Sequence, residues 1–64
     1  EDKTKAFELY EKSALLGDST GMYNVGMCYE DGEGVTKDLN KAKEWYTKGA
    51  VQGDADAQTQ LAKL

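Results

Sequence analysis

The chain has 64 residues and a net charge of −4, from eight lysines against twelve acidic residues, with no arginine, no histidine, no proline and one cysteine. Without histidine there is no imidazole for a catalytic triad, a proton shuttle or a histidine-ligated metal. One cysteine cannot build an internal disulfide framework and fits a reducing, cytoplasmic setting. The acidic balance disfavours nucleic acid and anionic membranes, which call for a basic patch.

No apolar run approaches the roughly 20 residues that span a bilayer. No secretory signal pattern opens the chain, and a start at Glu1 rather than Met reads as an excised piece. A chain of this size buries only about 60% of its unfolded surface, so it is marginal without neighbours.

The first element is a helix near 3–16. Ala6, Leu9, Tyr10, Ser13 and Ala14 fall at i, i+3, i+4, i+7 and i+8, one face of a helix. Gly17 stands just past its end, where a left-handed residue stops a helix without a Cβ clash. Asp18 follows, ready to accept bonds from the free amides of a second helix near 19–30. That helix carries the stripe Met22, Val25, Gly26 and Tyr29. The run Asp31-Gly32-Glu33-Gly34-Val35 is a longer connection, with Val35 expected to plug the apolar interior. Asp38 can cap a third helix near 39–51, striped by Ala42, Trp45, Tyr46, Gly49 and Ala50. Gly53 and Asp54 repeat the first turn, and Ala57, Leu61 and Leu64 mark a fourth helix near 55–64. No segment alternates as a half-buried strand would.

The chain is also a repeat. Shifted by 36 residues against itself, it gives nine identities in 28 pairs: Asp2/Asp38, Lys5/Lys41, Ala6/Ala42, Glu8/Glu44, Tyr10/Tyr46, Lys12/Lys48, Ala14/Ala50, Gly17/Gly53 and Asp18/Asp54. The tight glycine turns make neighbouring helices antiparallel. The expected fold class is therefore all-α, an α-α superhelix or solenoid of antiparallel helix pairs with about four helices.

Three stretches carry the most specific pattern. The first is Gly21-Met22-Tyr23-Asn24-Val25-Gly26-Met27-Cys28-Tyr29. Gly32-Glu33-Gly34-Val35 and Asp38 follow. The last runs through Lys41-Ala42, Trp45-Tyr46, Lys48 and Ala50 to Gly53-Asp54-Ala55-Asp56-Ala57-Gln58. Together they resemble the Sel-one-like repeat, a tetratricopeptide-like family of stacked helix pairs, over essentially the whole chain. On that resemblance 1–18 is the second helix of a preceding repeat, 19–54 one complete repeat, and 55–64 the first helix of a following one. Ser13, Gly21 and Gly49 stand where the family usually has alanine. Glycine within a helix costs about 0.5–1 kcal/mol relative to alanine, so these sites either weaken the array or permit closer contact. Cys28 is alone, which sets the chain apart from the disulfide-rich bacterial branch.

The other constellations read as structure. Asp31, Glu33 and Asp38 lack the alternating ligands, central glycine and terminal glutamate of a calcium loop. Gly32 and Gly34 lack the strand and Gly-Lys-Ser/Thr ending of a phosphate cradle. Cys28, between Met27 and Tyr29, reads as a small buried hydrophobe rather than a reactive thiol. Tyr10, Tyr29, Trp45 and Tyr46 read as core aromatics. Glu44 and Asp56 do not form a catalytic carboxylate pair, since acids alternate with lysines on solvent faces. Glu8 with Lys12 and Glu44 with Lys48 are spaced as i, i+4 ion pairs. The expectation is no catalytic residue, no cofactor and no metal.

What the resemblance implies is a superhelix with a concave groove and a role in protein–protein interaction, as an adaptor or scaffold holding a protein or peptide partner. In the family the first helix of each pair lines the groove, which singles out Tyr23, Asn24, Met27 and Glu30, joined by Thr59, Gln60 and Lys63. Flanking repeats of the same chain are further expected partners, and open repeat ends could self-associate. The alternative is a regulatory or substrate-recruiting arm of a larger enzyme such as a kinase.

Overall fold

The computed structural model describes residues 2–64 and consists of four α-helices: α1 (Lys3–Leu15), α2 (Ser19–Asp31), α3 (Leu39–Val51) and α4 (Ala55–Lys63). Each starts on an aspartate in extended conformation whose carboxylate accepts a free first-turn amide. Asp18 takes the Thr20 N–H at 3.1 Å, Asp38 that of Lys41 at 3.2 Å and Asp54 that of Asp56 at 3.0 Å. Asp2, the repeat equivalent of Asp38, caps α1 in the same way through Thr4 and Lys5.

The two short turns are the same device used twice. Gly17 and Gly53 adopt φ of +95° and +97°. The amides of Gly17 and Asp18 return to the carbonyls of Ala14 and Ser13, and those of Gly53 and Asp54 to Ala50 and Gly49. This is a Schellman closure, and it leaves Asp18 and Asp54 each ending one helix with an amide while starting the next with a carboxylate. The longer loop is held by Gly34 at φ +78°, whose Cα lies against the Lys3 carbonyl where a Cβ has no room. Val35 beyond it packs into the apolar interior as expected.

Consecutive helices pack as antiparallel pairs, α1 on α2, α2 on α3 and α3 on α4. The result is two layers, α1 with α3 and α2 with α4. Within the second layer α2 also approaches α4, whereas the backbones of α1 and α3 stay apart. Two apolar clusters fill the stack. Phe7, Ala14, Met22, Val25 and Cys28 are joined by Tyr29, Val35 and Trp45. Ala42, Tyr46 and Ala57 are joined by Tyr23, Met27, Tyr29, Ala50 and Leu61. The Phe7 and Tyr29 rings meet edge to face, centroids 5.5 Å apart.

The glycines within helices mark close approach rather than weakness. A Cβ on Gly21 would sit 2.8 Å from the Ala14 backbone nitrogen and 2.9 Å from the Ser13 Cβ. One on Gly26 would sit 2.6 Å from two carbons of the Tyr46 ring. At Gly49 the fit is looser, 3.1 Å from the Ala57 Cβ.

Helix α1 departs from the sequence expectation. Ala14 is buried, but Leu9 is 65% exposed and Tyr10 37% exposed, while Phe7, off the expected stripe, is buried. The reason is packing: among the helices α1 packs on α2 alone, so the row equivalent to Trp45 and Tyr46 has no cover on its other side. Tyr10 is thus not a core aromatic here, although Tyr46 is fully buried and Tyr29 and Trp45 are half-buried. The i, i+4 ion pairs also fail to close. Among the described residues the ion pair within 4.0 Å is Lys3 with Glu33, exposed and 3.7 Å apart. Lys48 instead lies 4.4 Å from the centre of the Trp45 ring, where the face of the indole attracts a cation.

Candidate functional site

The residues singled out for partner contact lie on α2 and α4, the layer whose neighbouring helices touch. Tyr23, Asn24, Met27 and Glu30 are half-buried along one side of α2, and Gln60 is half-buried on α4. Thr59 and Lys63 are exposed. Tyr23 leans on the buried Tyr46 ring, centroids 6.0 Å apart and planes tilted by 40°. Met27 packs on the same cluster. The Thr59 hydroxyl donates to the Ala55 carbonyl of its own helix at 3.0 Å. Asn24 makes no side-chain hydrogen bond among the described residues.

Glu30 has the most elaborate setting. Its Oε1 accepts a hydrogen bond from the Tyr46 hydroxyl at 2.6 Å and a long one from Gln60 Nε2 at 3.5 Å. Three helices therefore converge on one carboxylate. Burial, then the hydrogen bond and negative charge of Glu30, push the Tyr46 phenol well above its usual range. The phenol stays protonated and keeps donating. This part of the site was not legible in the sequence, because Tyr46 and Glu30 are sixteen positions apart on different helices.

Away from these residues lies an open hollow of about 450 Å³ lined by Asp2, Lys3, Ala6, Tyr10, Cys28 and Glu33. Cys28 is buried beside it as a free thiol. Burial first, then the charges of Glu33 and Asp31, push that thiol up, so the nucleophilic thiolate is disfavoured. Among the described residues no group of three His, Cys, Asp or Glu side chains could hold a metal ion. Among the described residues no helix is long and apolar enough to cross a membrane.

Comparison with known proteins agrees with the architecture. The Sel1 repeat family model matches residues 1–18 and 19–54. The chain is 45% identical over 63 residues to DAP3-binding cell death enhancer 1 of Rattus norvegicus, covering 98% of this chain and 12% of that protein. It is 44% identical over 43 residues to the ERAD-associated E3 ubiquitin-protein ligase component HRD3 of Candida glabrata, covering 67% of this chain and 5% of that protein. The chain thus spans a small part of the length of the curated relatives it matches. A crystal structure of a Sel1 repeat protein from Oxalobacter formigenes superposes with a TM-score of 0.95 at 43% identity, covering 98% of this chain and 47% of that one. With its 36-residue self-similarity, Schellman turns and two-layer stack, the chain belongs to the Sel1 repeat family.

Proposed function

We propose that the chain is a protein–protein interaction module, an adaptor or scaffold segment that holds a protein or peptide partner against the α2/α4 layer, with 19–54 as one complete repeat unit. The observation that carries this reading is the asymmetry of the stack: α2 touches α4 while α1 stays clear of α3. A stack curves toward the layer whose members are closer, so α2 and α4 take the concave side, where solenoids present their binding surface. Tyr23, Asn24, Met27 and Glu30 supply that surface, with Thr59, Gln60 and Lys63 continuing it on α4. Met27 offers a thioether that repacks easily against varied partners. Asn24 offers both a donor and an acceptor to an extended backbone. The relatives point the same way: one is named for binding another protein and one as a component of a ligase. The second of these names also favours the variant reading in which the repeats recruit partners to an enzyme.

The test is capture from cell extract by the full-length protein, wild type against the Asn24→Ala, Met27→Ala double variant, read by mass spectrometry. Helix content is expected to be unchanged, and Asn24→Ala alone, which leaves the Met27 packing in place, separates lost contact from lost stability. Proteins retained by the wild type and lost from the variant support the groove. Identical lists from both place binding on another face, and no specific capture by either leaves a structural spacer as the better reading.

A further inference from the structure

Glu30 is held in a way that its packing role does not require. Both of its hydrogen bonds fall on Oε1, and among the described residues no donor of this chain reaches Oε2. No lysine pairs with it either, since the ion pair of the described residues is Lys3 with Glu33. The lysines are unevenly placed between the two layers, although α1 and α3 also carry Glu8, Glu11 and Glu44 and α4 carries Asp56. Lys3, Lys5, Lys12, Lys41, Lys43 and Lys48 all lie on α1 and α3, while α2 has Glu30 and Asp31 and no lysine, and α4 has Lys63 at its last position. The α2 side therefore presents Glu30 without a lysine on its own helix, with Met27 three positions before it and Tyr23 four before that.

We propose that Glu30 is the anchor for a lysine or arginine of an extended partner segment, with Tyr46 and Gln60 as positioning residues that fix its carboxylate. This rests on the groove reading above and names the chemistry of the occupant. A half-buried carboxylate already oriented by a phenol loses little freedom when a cation arrives, and charge-assisted pairs of that kind are the stronger hydrogen bonds. Tyr23, half-buried two helical turns before Glu30 and against the Tyr46 ring, offers a ring face to the guanidinium or aliphatic stem of a basic side chain.

The experiment selects binders from a randomised peptide library displayed on phage against the full-length protein. Synthetic copies of the selected peptides are then measured with arginine or its neutral isostere citrulline at the enriched position. Wild type is expected to enrich lysine or arginine at one fixed position, and citrulline is expected to weaken binding about fivefold, the upper end for a partly solvated ion pair. In Glu30→Gln, which keeps an acceptor for the Tyr46 hydroxyl, arginine and citrulline peptides should bind alike. Tyr46→Phe should narrow the same gap without abolishing binding, a change of selectivity that lost stability alone would not produce. Selected peptides that need Asn24 and Met27 but show no basic preference, or a citrulline penalty unchanged in Glu30→Gln, overturn the anchor and leave the groove standing. Peptides indifferent to the Asn24→Ala, Met27→Ala variant, or no selection at all, overturn the groove and the anchor together.

Discussion

The contact between Gly26 and Tyr46 sets opposing effects against each other at one atom. Replacing Gly26 by alanine favours the helix by about 1 kcal/mol on propensity alone. The new Cβ, however, would lie 2.6 Å from both Cδ1 and Cε1 of Tyr46. Carbon atoms rest at about 3.5–4.0 Å, so helix or ring must retreat by roughly 1 Å. The ring has nowhere to go: Tyr46 is 0% exposed, and its hydroxyl is tied to Glu30 at 2.6 Å. Overpacking of this kind costs about 1–3 kcal/mol, and a hydrogen bond to a charged group adds about 1.5–3 kcal/mol if it is pulled apart. The strain exceeds the propensity gain, for a net loss of about 2 kcal/mol, or a roughly 30-fold fall in amide protection for α2 and α3 by the relation between opening free energy and exchange. Hydrogen-exchange mass spectrometry on the full-length protein reads this locally. Gly49→Ala is the milder comparison, since its nearest neighbour would be the Ala57 Cβ at 3.1 Å, and it should cost less than Gly26→Ala. In a Tyr46→Leu background Gly26→Ala should turn stabilising, because the ring that opposes it is gone. A Gly26→Ala protein as well protected as wild type would refute the argument.

Other sites give sharper, smaller tests. Gly34→Ala combines a positive φ with a collision against the Lys3 carbonyl and should cost about 1–3 kcal/mol, visible as lost exchange protection confined to α1 and the 32–38 loop. Asp54→Ala removes the acceptor of the Asp56 amide and should cost about 1 kcal/mol, seen as fraying of the first turn of α4. Tyr46 has its pKa raised in the folded state from the ordinary 10.0. Its contribution to stability is therefore complete below pH 10 and lost as pH rises beyond it, so the stability advantage over Tyr46→Phe should be flat to pH 10 and then shrink. Cys28, pushed above its ordinary 9.0, should resist iodoacetamide at neutral pH in native protein and react once denaturant exposes it.

Much of the fold was legible because the determinants are local. The glycine-aspartate turns, the aspartate caps and the helical stripes each act within a few residues, and the 36-residue echo repeats them. Helix ends consequently fell within one residue of the structure. What the sequence misplaced depends on neighbours. Leu9 and Tyr10 match the stripe of Trp45 and Tyr46, but burial is a property of what lies on both sides of a helix, and among the helices α1 has α2 alone. Phe7 was missed for the converse reason: it lies off the stripe and is buried against Tyr29 across the pair. The Glu44 and Lys48 spacing permits an ion pair, yet the adjacent Trp45 ring is a competing site that spacing does not weigh.

The same dependence on neighbours decides how the groove residues should be interrogated. Tyr23 and Met27 pack on the Tyr46 cluster, and Glu30 anchors the Tyr46 hydroxyl, so each serves the core of α3 and α4 while facing the surface of α2. Truncating any of them changes stability and recognition at once, and a lost partner would then say little about contact. Asn24 is different, since its half-buried side chain has no hydrogen-bond partner among the described residues. Substitutions at surface sites without such ties usually stay within about 0.5 kcal/mol. Asn24→Ala should therefore leave exchange protection of α2 unchanged while weakening the partner. A stability loss at Asn24 comparable to that of Met27→Ala would mean that Asn24 belongs to the packing after all, and the recognition surface would have to be drawn on α4 instead.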